Sequence, residues 1–336
     1  MSASTLEAPA DVRAVIGQDV RLVAADGVEL AGTWFLPPSA PKNPVAAVVI
    51  VGGGGIPARR YHRFARFLAM KGFGVLTFDY RGIGKSRNGS LRGFVAGTEH
   101  WGFLDFGAAL AAARAAFPAQ SLQVVAHSIG GLLVGAAPDA PRLTRMVFFG
   151  PHTGYCGDYR LRWRWLLFGV WHVIMPAVTR IVGYFPGRAL RLGEDLPRQF
   201  ALDWSSRRQP SFVAKPADRS RFASILGRYN RVRAETLVLS VTDDAFAPPR
   251  AGKRLLESYP SVTATHEIIS PRTLGARRLG HFIFLQRNNS ALIWERAAAW
   301  LLPASPSGRA GEPVASRSGV PPSGTKGDAF VGSATP

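Results

Sequence analysis

A doubly wound, mostly parallel α/β sheet carrying a helical insertion is the fold that the sequence predicts. Three observations predict it. Continuous apolar runs rich in β-branched residues suit strands buried on both faces. Strand-like and helix-like segments alternate from Val45 to Phe149, and the alternation resumes at Thr236 after a long stretch with no strand period.

The elements follow in order. Residues 1–17 read as a flexible leader. Val20–Ala24 and Val28–Phe35 are short strands joined by the turn signal Asp26-Gly27. Val45–Val51 is a continuous apolar strand, Tyr61–Lys71 a helix stopped by Gly72, and Phe73–Tyr80 a strand. An Ala-rich helix over Glu99–Phe117 ends at Pro118. Leu122–Ala126 is a strand, Ile129–Gly135 starts a helix, and Arg145–Phe149 is a further strand. Between about Pro151 and Arg233 the chain is rich in Trp, Tyr, Phe and Arg and reads as helical. Thr236–Val241 and Thr263–Ile269 are strands, and Pro249–Ser258 and Ser290–Leu302 are helices. Crossovers of this kind are right-handed and build a parallel sheet. This divides the chain into a leader (1–17), a sheet core in two parts (18–150 and 234–302), a helical lid insertion (151–233) and a tail (303–336). The Ser, Gly, Pro and Ala of that tail predict disorder.

Hydrophobic residues make up 47% of the 336-residue chain and charged residues 19%, enough for a sizeable core. The formal charge of +19 would suit nucleic acid or an anionic surface. Only six of the 41 basic residues are lysines, and the arginines are scattered, with concentrations at Arg59–Arg60, Arg160–Arg164, Arg207–Arg208 and Arg228–Arg233. With no zinc-finger spacing and no aromatic RNA-binding strand, no nucleic-acid partner is expected. Cys156 is the single cysteine, so no intrachain disulfide can form. Glu7 and Asp11 interrupt the N-terminus and no apolar h-region follows, which predicts a cytoplasmic setting. No run reaches the roughly 18 apolar residues of a membrane span. The nearest, Trp165–Val178, contains His172 and Pro176 and predicts a buried or interfacial helix pair, leaving peripheral membrane contact open.

The chemistry centres on Ala126-His127-Ser128-Ile129-Gly130, a G-x-S-x-G elbow with alanine in the first glycine position. Residues two before and two after the serine crowd together on a sharp strand-to-helix turn, so both must be small. Such a motif alone recurs by chance; a buried strand before it and a helix start after it give it weight. Serine needs a base to take its proton. Of the seven histidines, His266 lies in a strand period and His172 in an apolar helix, both suited to packing. His62 sits in the first crossover helix, and His100 and His152 fall in other connections. His281, in Leu279-Gly-His-Phe282, follows the last strand, where the chain returns to the sheet's catalytic edge. Asp244 is assigned as the orienting acid, with adjacent Asp243 the alternative. Ser128, Asp244, His281 is then the nucleophile–acid–base order. Ile129 supplies one oxyanion N–H. The second comes from Gly52-Gly-Gly-Gly-Ile-Pro57, with Gly54 favoured and Ile56 as an alternative register; this loop lacks the Gly-Lys-Ser/Thr ending of a P-loop.

On these residues, and on Phe73-Gly-Val-Leu-Thr-Phe-Asp79-Tyr-Arg81-Gly82-Ile-Gly84-Lys-Ser86, the chain resembles the α/β-hydrolase superfamily from about residue 18 to 302. More narrowly it is similar to a group of largely uncharacterised predicted α/β hydrolases that share Gly183-Tyr-Phe-Pro-Gly-Arg188, Gly193-Glu-Asp-Leu-Pro197, Asp243-Asp244 and Gly280-His-Phe282. The resemblance implies the fold and the triad and names no substrate. The insertion would be the lid, with Trp163, Trp165, Phe168, Trp171 and Tyr184 forming an apolar wall or simply its core. Arg160, Arg162 and Arg164 form a solvated face, or attract an acidic substrate or lipid headgroup; Arg188, Glu194 and Asp195 form turn or ion-pair structure. The expected function is hydrolysis of a small, apolar carboxylic ester or thioester through an acyl-serine, with no metal or organic cofactor. The alternatives are acyl transfer with the same triad and a non-catalytic binding scaffold.

Overall fold

The computed structural model describes residues 15–302 except 208, 214–217, 221 and 287–289; the tail and most of the leader lie outside the described residues. Eight strands form one sheet: β1 Gln18–Val23, β2 Glu29–Phe35, β3 Ala47–Val51, β4 Gly74–Phe78, β5 Leu122–His127, β6 Arg145–Phe149, β7 Glu235–Val241 and β8 Thr263–Ile269. Their spatial order is β1-β2-β4-β3-β5-β6-β7-β8. The β1–β2 and β2–β4 pairs are antiparallel and all other pairs are parallel.

Burial explains the composition of each strand. Every residue of β3, β4 and β5 is buried, because helices cover both faces of the sheet centre. Side chains alternate between two cores. Val49, Val51, Val124 and Ala126 face Trp101, Phe106 and Leu133, whereas Val48, Ile50 and Val125 face Phe64, Phe67 and Trp294. The first core is closed by α2 Phe106–Ala116, α3 Gly130–Val134 and α8 Pro249–Leu256, the second by α1 His62–Met70 and α9 Ala291–Leu301. Fully burying one such aliphatic side chain stabilises by about 1.5–3 kcal/mol. The edge strands β1 and β8 are largely exposed and correspondingly polar.

Between β6 and β7 lie α4 Leu161–Gly169, α5 Met175–Val182, α6 Arg198–Ser206 and α7 Ala223–Tyr229. The helix pair expected over Trp165–Val178 is instead part of one continuous helix, Trp163–Val182. A π turn at Val170–Ile174 just ahead of Pro176 accommodates its missing N–H, so the chain does not break. Gly183, at φ 89°, ends the helix in the left-handed conformation. By length and composition alone this helix is apolar enough to cross a membrane.

Candidate active site

The C-terminal ends of β5, β6 and β7 and the loop after β8 converge on Ser128. The serine sits at φ 59°, a conformation that a non-glycine residue holds only under surrounding constraint. Its N–H is fixed by the Phe149 carbonyl at 3.0 Å. Gly130 is required by close approach, since a Cβ there would stand 2.6 Å from the Val51 carbonyl oxygen. Ala126 pairs with Phe148 of β6 and is fully buried, so the alanine of the elbow fits within the sheet.

A hydrogen-bond chain runs from carboxylate to hydroxyl. His281 Nδ1 lies 2.8 Å from Asp244 Oδ2, and His281 Nε2 lies 2.9 Å from Ser128 Oγ. Asp244 Oδ1 accepts the N–H groups of Phe246 and Ala247 at 2.8 and 2.7 Å, which aims its other oxygen at the ring. Of the two candidate acids, Asp244 therefore reaches the histidine. Asp243 acts on the backbone instead. Its carboxylate accepts the Leu279 and Gly280 N–H groups, both at 3.0 Å, and so holds the loop that carries His281. Gly150, at φ 48°, makes room for the pair; a Cβ there would lie 2.9 Å from Asp244 Oδ2.

The two residues expected to supply the oxyanion donors are neighbours in space. A Cβ on Gly54 would be 3.5 Å from Ile129 Cγ2, and both residues line one cavity with Ser128. Among the described residues neither N–H has an acceptor. Ile56 N–H, the alternative register, is taken up by the Gly53 carbonyl at 3.3 Å. The glycine loop is anchored by Tyr61, whose hydroxyl accepts Gly53 N–H at 2.7 Å and lies 3.1 Å from His127 Nδ1. His127 Nε2 is 3.2 Å from the His281 carbonyl oxygen and must therefore carry the proton, so Tyr61 O–H donates to Nδ1. Farther along the loop, Asp79 accepts Ala58 N–H at 2.6 Å and Lys85 N–H at 2.9 Å, a structural role for the strand-four motif. Burial raises the Asp79 carboxyl above its ordinary range, and these two amides act against that shift.

His152, which the sequence places in a connection and gives no role, follows β6 and reaches the nucleophile. His152 Nε2 lies 2.8 Å from Ser128 Oγ. Its Nδ1 accepts Gly154 N–H at 3.0 Å, so the neutral ring carries its proton on Nε2 and donates to the serine oxygen. Burial, with the neighbouring His281 and Arg207, holds the His152 pKa well below the ordinary histidine value. Burial does the same to His127.

Of the remaining histidines, His172 donates from Nδ1 to the Ser205 carbonyl at 2.6 Å, and His266 pairs with Ser240 at 2.9 Å. Arg188 binds Glu194, and Arg87 binds Asp195. Among the described residues no cluster of three His, Cys, Asp or Glu is arranged to hold a metal.

Ser128, His152 and His281 open on a cavity of about 690 Å³. Its walls include Leu167, Val170, Trp171, Met175, Phe200 and Trp204, from the helices between β6 and β7. Among the described residues that line it, Glu194 is the one carboxylate, and it is engaged by Arg188 and by Arg59.

The fold is that of several solved hydrolases. Monoglyceride lipase from Saccharomyces cerevisiae, as a soluble variant bound to a substrate analogue, superposes with TM-score 0.60 at 15% identity, covering 87% of this chain and 98% of that one. The Pyrococcus furiosus esterase Pf2001 gives TM-score 0.55 at 16% identity over 90% and 95%. Monoacylglycerol lipase from Paleococcus ferrophilus gives 0.52 at 18% over 81% and 98%. No curated protein sequence matches the chain significantly. Residues 42–270, which include β3 through β8, match the family described as serine aminopeptidase, S33. Fold and family match agree: the chain belongs to the serine aminopeptidase S33 family of the α/β-hydrolase superfamily.

Proposed function

We propose that the protein hydrolyses a carboxylic ester or thioester with an apolar acyl group through an acyl-enzyme at Ser128. The observation that carries this reading is the unbroken Asp244–His281–Ser128 chain opening on an apolar cavity. As Ser128 Oγ bonds to the substrate carbonyl carbon, its proton passes to His281 Nε2. Asp244 holds the ring in the required tautomer and offsets the positive charge of the imidazolium. The oxyanion is received by Ile129 and Gly54 N–H. Collapse of the tetrahedral intermediate expels the alcohol or thiol, which takes the proton from His281. Water then gives a proton to His281 and attacks the acyl carbon; Ser128 Oγ leaves and recovers the proton. The His152 Nε2–H donates to Oγ whenever negative charge collects there.

An ester suits the cavity better than a peptide with a free amino terminus. Such a peptide needs a free carboxylate to receive its ammonium group, and Glu194 is already paired. The esterase and monoacylglycerol lipase activities named for the structural neighbours are in keeping with an ester.

The reading is tested by labelling with a fluorophosphonate, followed by mass spectrometry of the adduct and a screen of esters graded in acyl length. The expected result is one adduct, on Ser128, lost in Ser128→Ala together with ester turnover. Folded protein that takes no label would point to a binding scaffold. Turnover that survives in Ser128→Ala would remove the serine from the mechanism. Acyl transfer would instead appear as a new ester when an alcohol acceptor is added.

A further inference from the structure

We propose that the outer face of the helix Trp163–Val182 docks onto an anionic phospholipid bilayer, bringing the cavity it walls against the membrane surface. This helix is built the wrong way round for a protein surrounded by water. Leu166, Val173, Ile174 and Ile181 share one face by their spacing of seven, eight and fifteen residues, and they are 54, 60, 54 and 82% exposed. Its most apolar window has mean hydropathy 1.5, yet only 22% of that window is buried. The adjoining face, with Leu167, Val170, Trp171 and Met175, lines the cavity. A contiguous apolar face beside a cavity mouth marks a surface with a partner.

The charges identify that partner. No acidic residue occurs anywhere between Tyr159 and Gly193, whereas arginines stand at both ends of the segment: Arg160, Arg162 and Arg164 before its centre, Arg180, Arg188 and Arg191 after it. Among the described residues no carboxylate pairs with Arg160, Arg164 or Arg180. Cations at the ends, an uncharged centre and Trp165, 68% exposed, near one end form the pattern of a helix lying in a headgroup layer. A second copy of this chain would set arginines against arginines. Spanning is disfavoured too, since Met175, Pro176 and Thr179 are buried and His172 is tied to the Ser205 carbonyl.

The docking does not rest on the reaction, so it is read by binding. Wild type and Ser128→Ala are floated with vesicles of phosphatidylcholine alone and of phosphatidylcholine with phosphatidylglycerol, at low and high salt. Both proteins should float with the anionic vesicles, less so at high salt, and brominated lipid should quench Trp165 fluorescence. Arg160→Gln with Arg164→Gln should weaken binding about fivefold per arginine. Leu166→Ser with Ile174→Ser should abolish flotation while circular dichroism and fluorophosphonate labelling stay at wild-type levels. Failure of folded wild type to float with either vesicle overturns the proposal. So does self-association in light scattering that Ile174→Ser abolishes without vesicle binding; the face would then join two copies.

Discussion

His152 gives the sharpest test of the site's chemistry, because removing its donor leaves the Asp244–His281–Ser128 chain untouched. The perturbation is His152→Leu, which deletes the Nε2–H directed at Ser128 Oγ at 2.8 Å. In the resting enzyme that oxygen is a neutral acceptor, and a hydrogen bond to it stabilises by about 0.5–1.5 kcal/mol. When Oγ departs during deacylation it carries developing negative charge, and a bond to a charged acceptor is worth about 1.5–3 kcal/mol. Only the difference, about 1–1.5 kcal/mol, accelerates the step, so deacylation should slow about tenfold. Pre-steady-state kinetics with a chromogenic ester would resolve a burst followed by the slowed turnover. His152→Gln, which returns an N–H near the same place, should recover part of the loss. The acid limb of kcat/KM should stay where it is in both variants, because burial holds the His152 pKa well below the ordinary histidine value. Wild-type turnover in His152→Leu would refute the donor role. A shifted acid limb would refute the assignment of His152 as a neutral donor.

Gly150→Ala places a methyl 2.9 Å from Asp244 Oδ2 at a backbone φ of 48°, so kcat should fall and the melting temperature should drop; a wild-type kcat would show that the pair has room to move. Tyr61→Phe strands the buried Gly53 N–H and removes the donor to His127 Nδ1. Urea unfolding should show a loss of about 1–3 kcal/mol, with kcat reduced as the glycine loop loosens. Acid sensitivity follows from two buried rings. His127 and His152 have folded pKa values held well below the ordinary 6.5, so beneath that pH the unfolded chain binds protons that the folded one refuses. Their contribution is intact above about pH 6.5 and is lost as pH falls, by about 1.4 kcal/mol per pH unit for each ring. Chemical denaturation at pH 6 and pH 5 should show a loss smaller by about that amount in His152→Leu than in wild type.

Much of the sheet is legible in the sequence because its strands are local events. Arg145–Phe149 and Thr263–Ile269 match their expected bounds to the residue, each being a strand-forming run closed by turn residues. The run Trp165–Val178 reads as a helix pair because Pro176 is a local breaker, whereas the π turn that absorbs it is a property of the folded helix. The same division runs through the site. Ser128, Asp244 and His281 can be named because each follows a recognisable strand. Tyr61 and His152 cannot, since their partners are 66 and 24 residues away across strand ends whose approach no local pattern announces.

Three imidazoles stand around Ser128, and the hydrogen-bond pattern leaves only one of them free to act as base. His127 accepts from Tyr61 and donates to the His281 carbonyl, so both of its nitrogens are committed. His152 accepts from Gly154 and presents a proton, not a lone pair, to the serine. His281 alone gives its Nδ1 proton to a carboxylate and turns a bare Nε2 toward Oγ. Burial reinforces the division, because protonating His127 or His152 would place an uncompensated charge in the interior, whereas His281 has Asp244 beside it to offset one. The assignment of the base therefore follows from where each ring's second nitrogen is spent. Asp244→Asn would test that logic directly: the amide favours the wrong tautomer of His281, and activity should collapse while the fold and the Asp243-held loop persist.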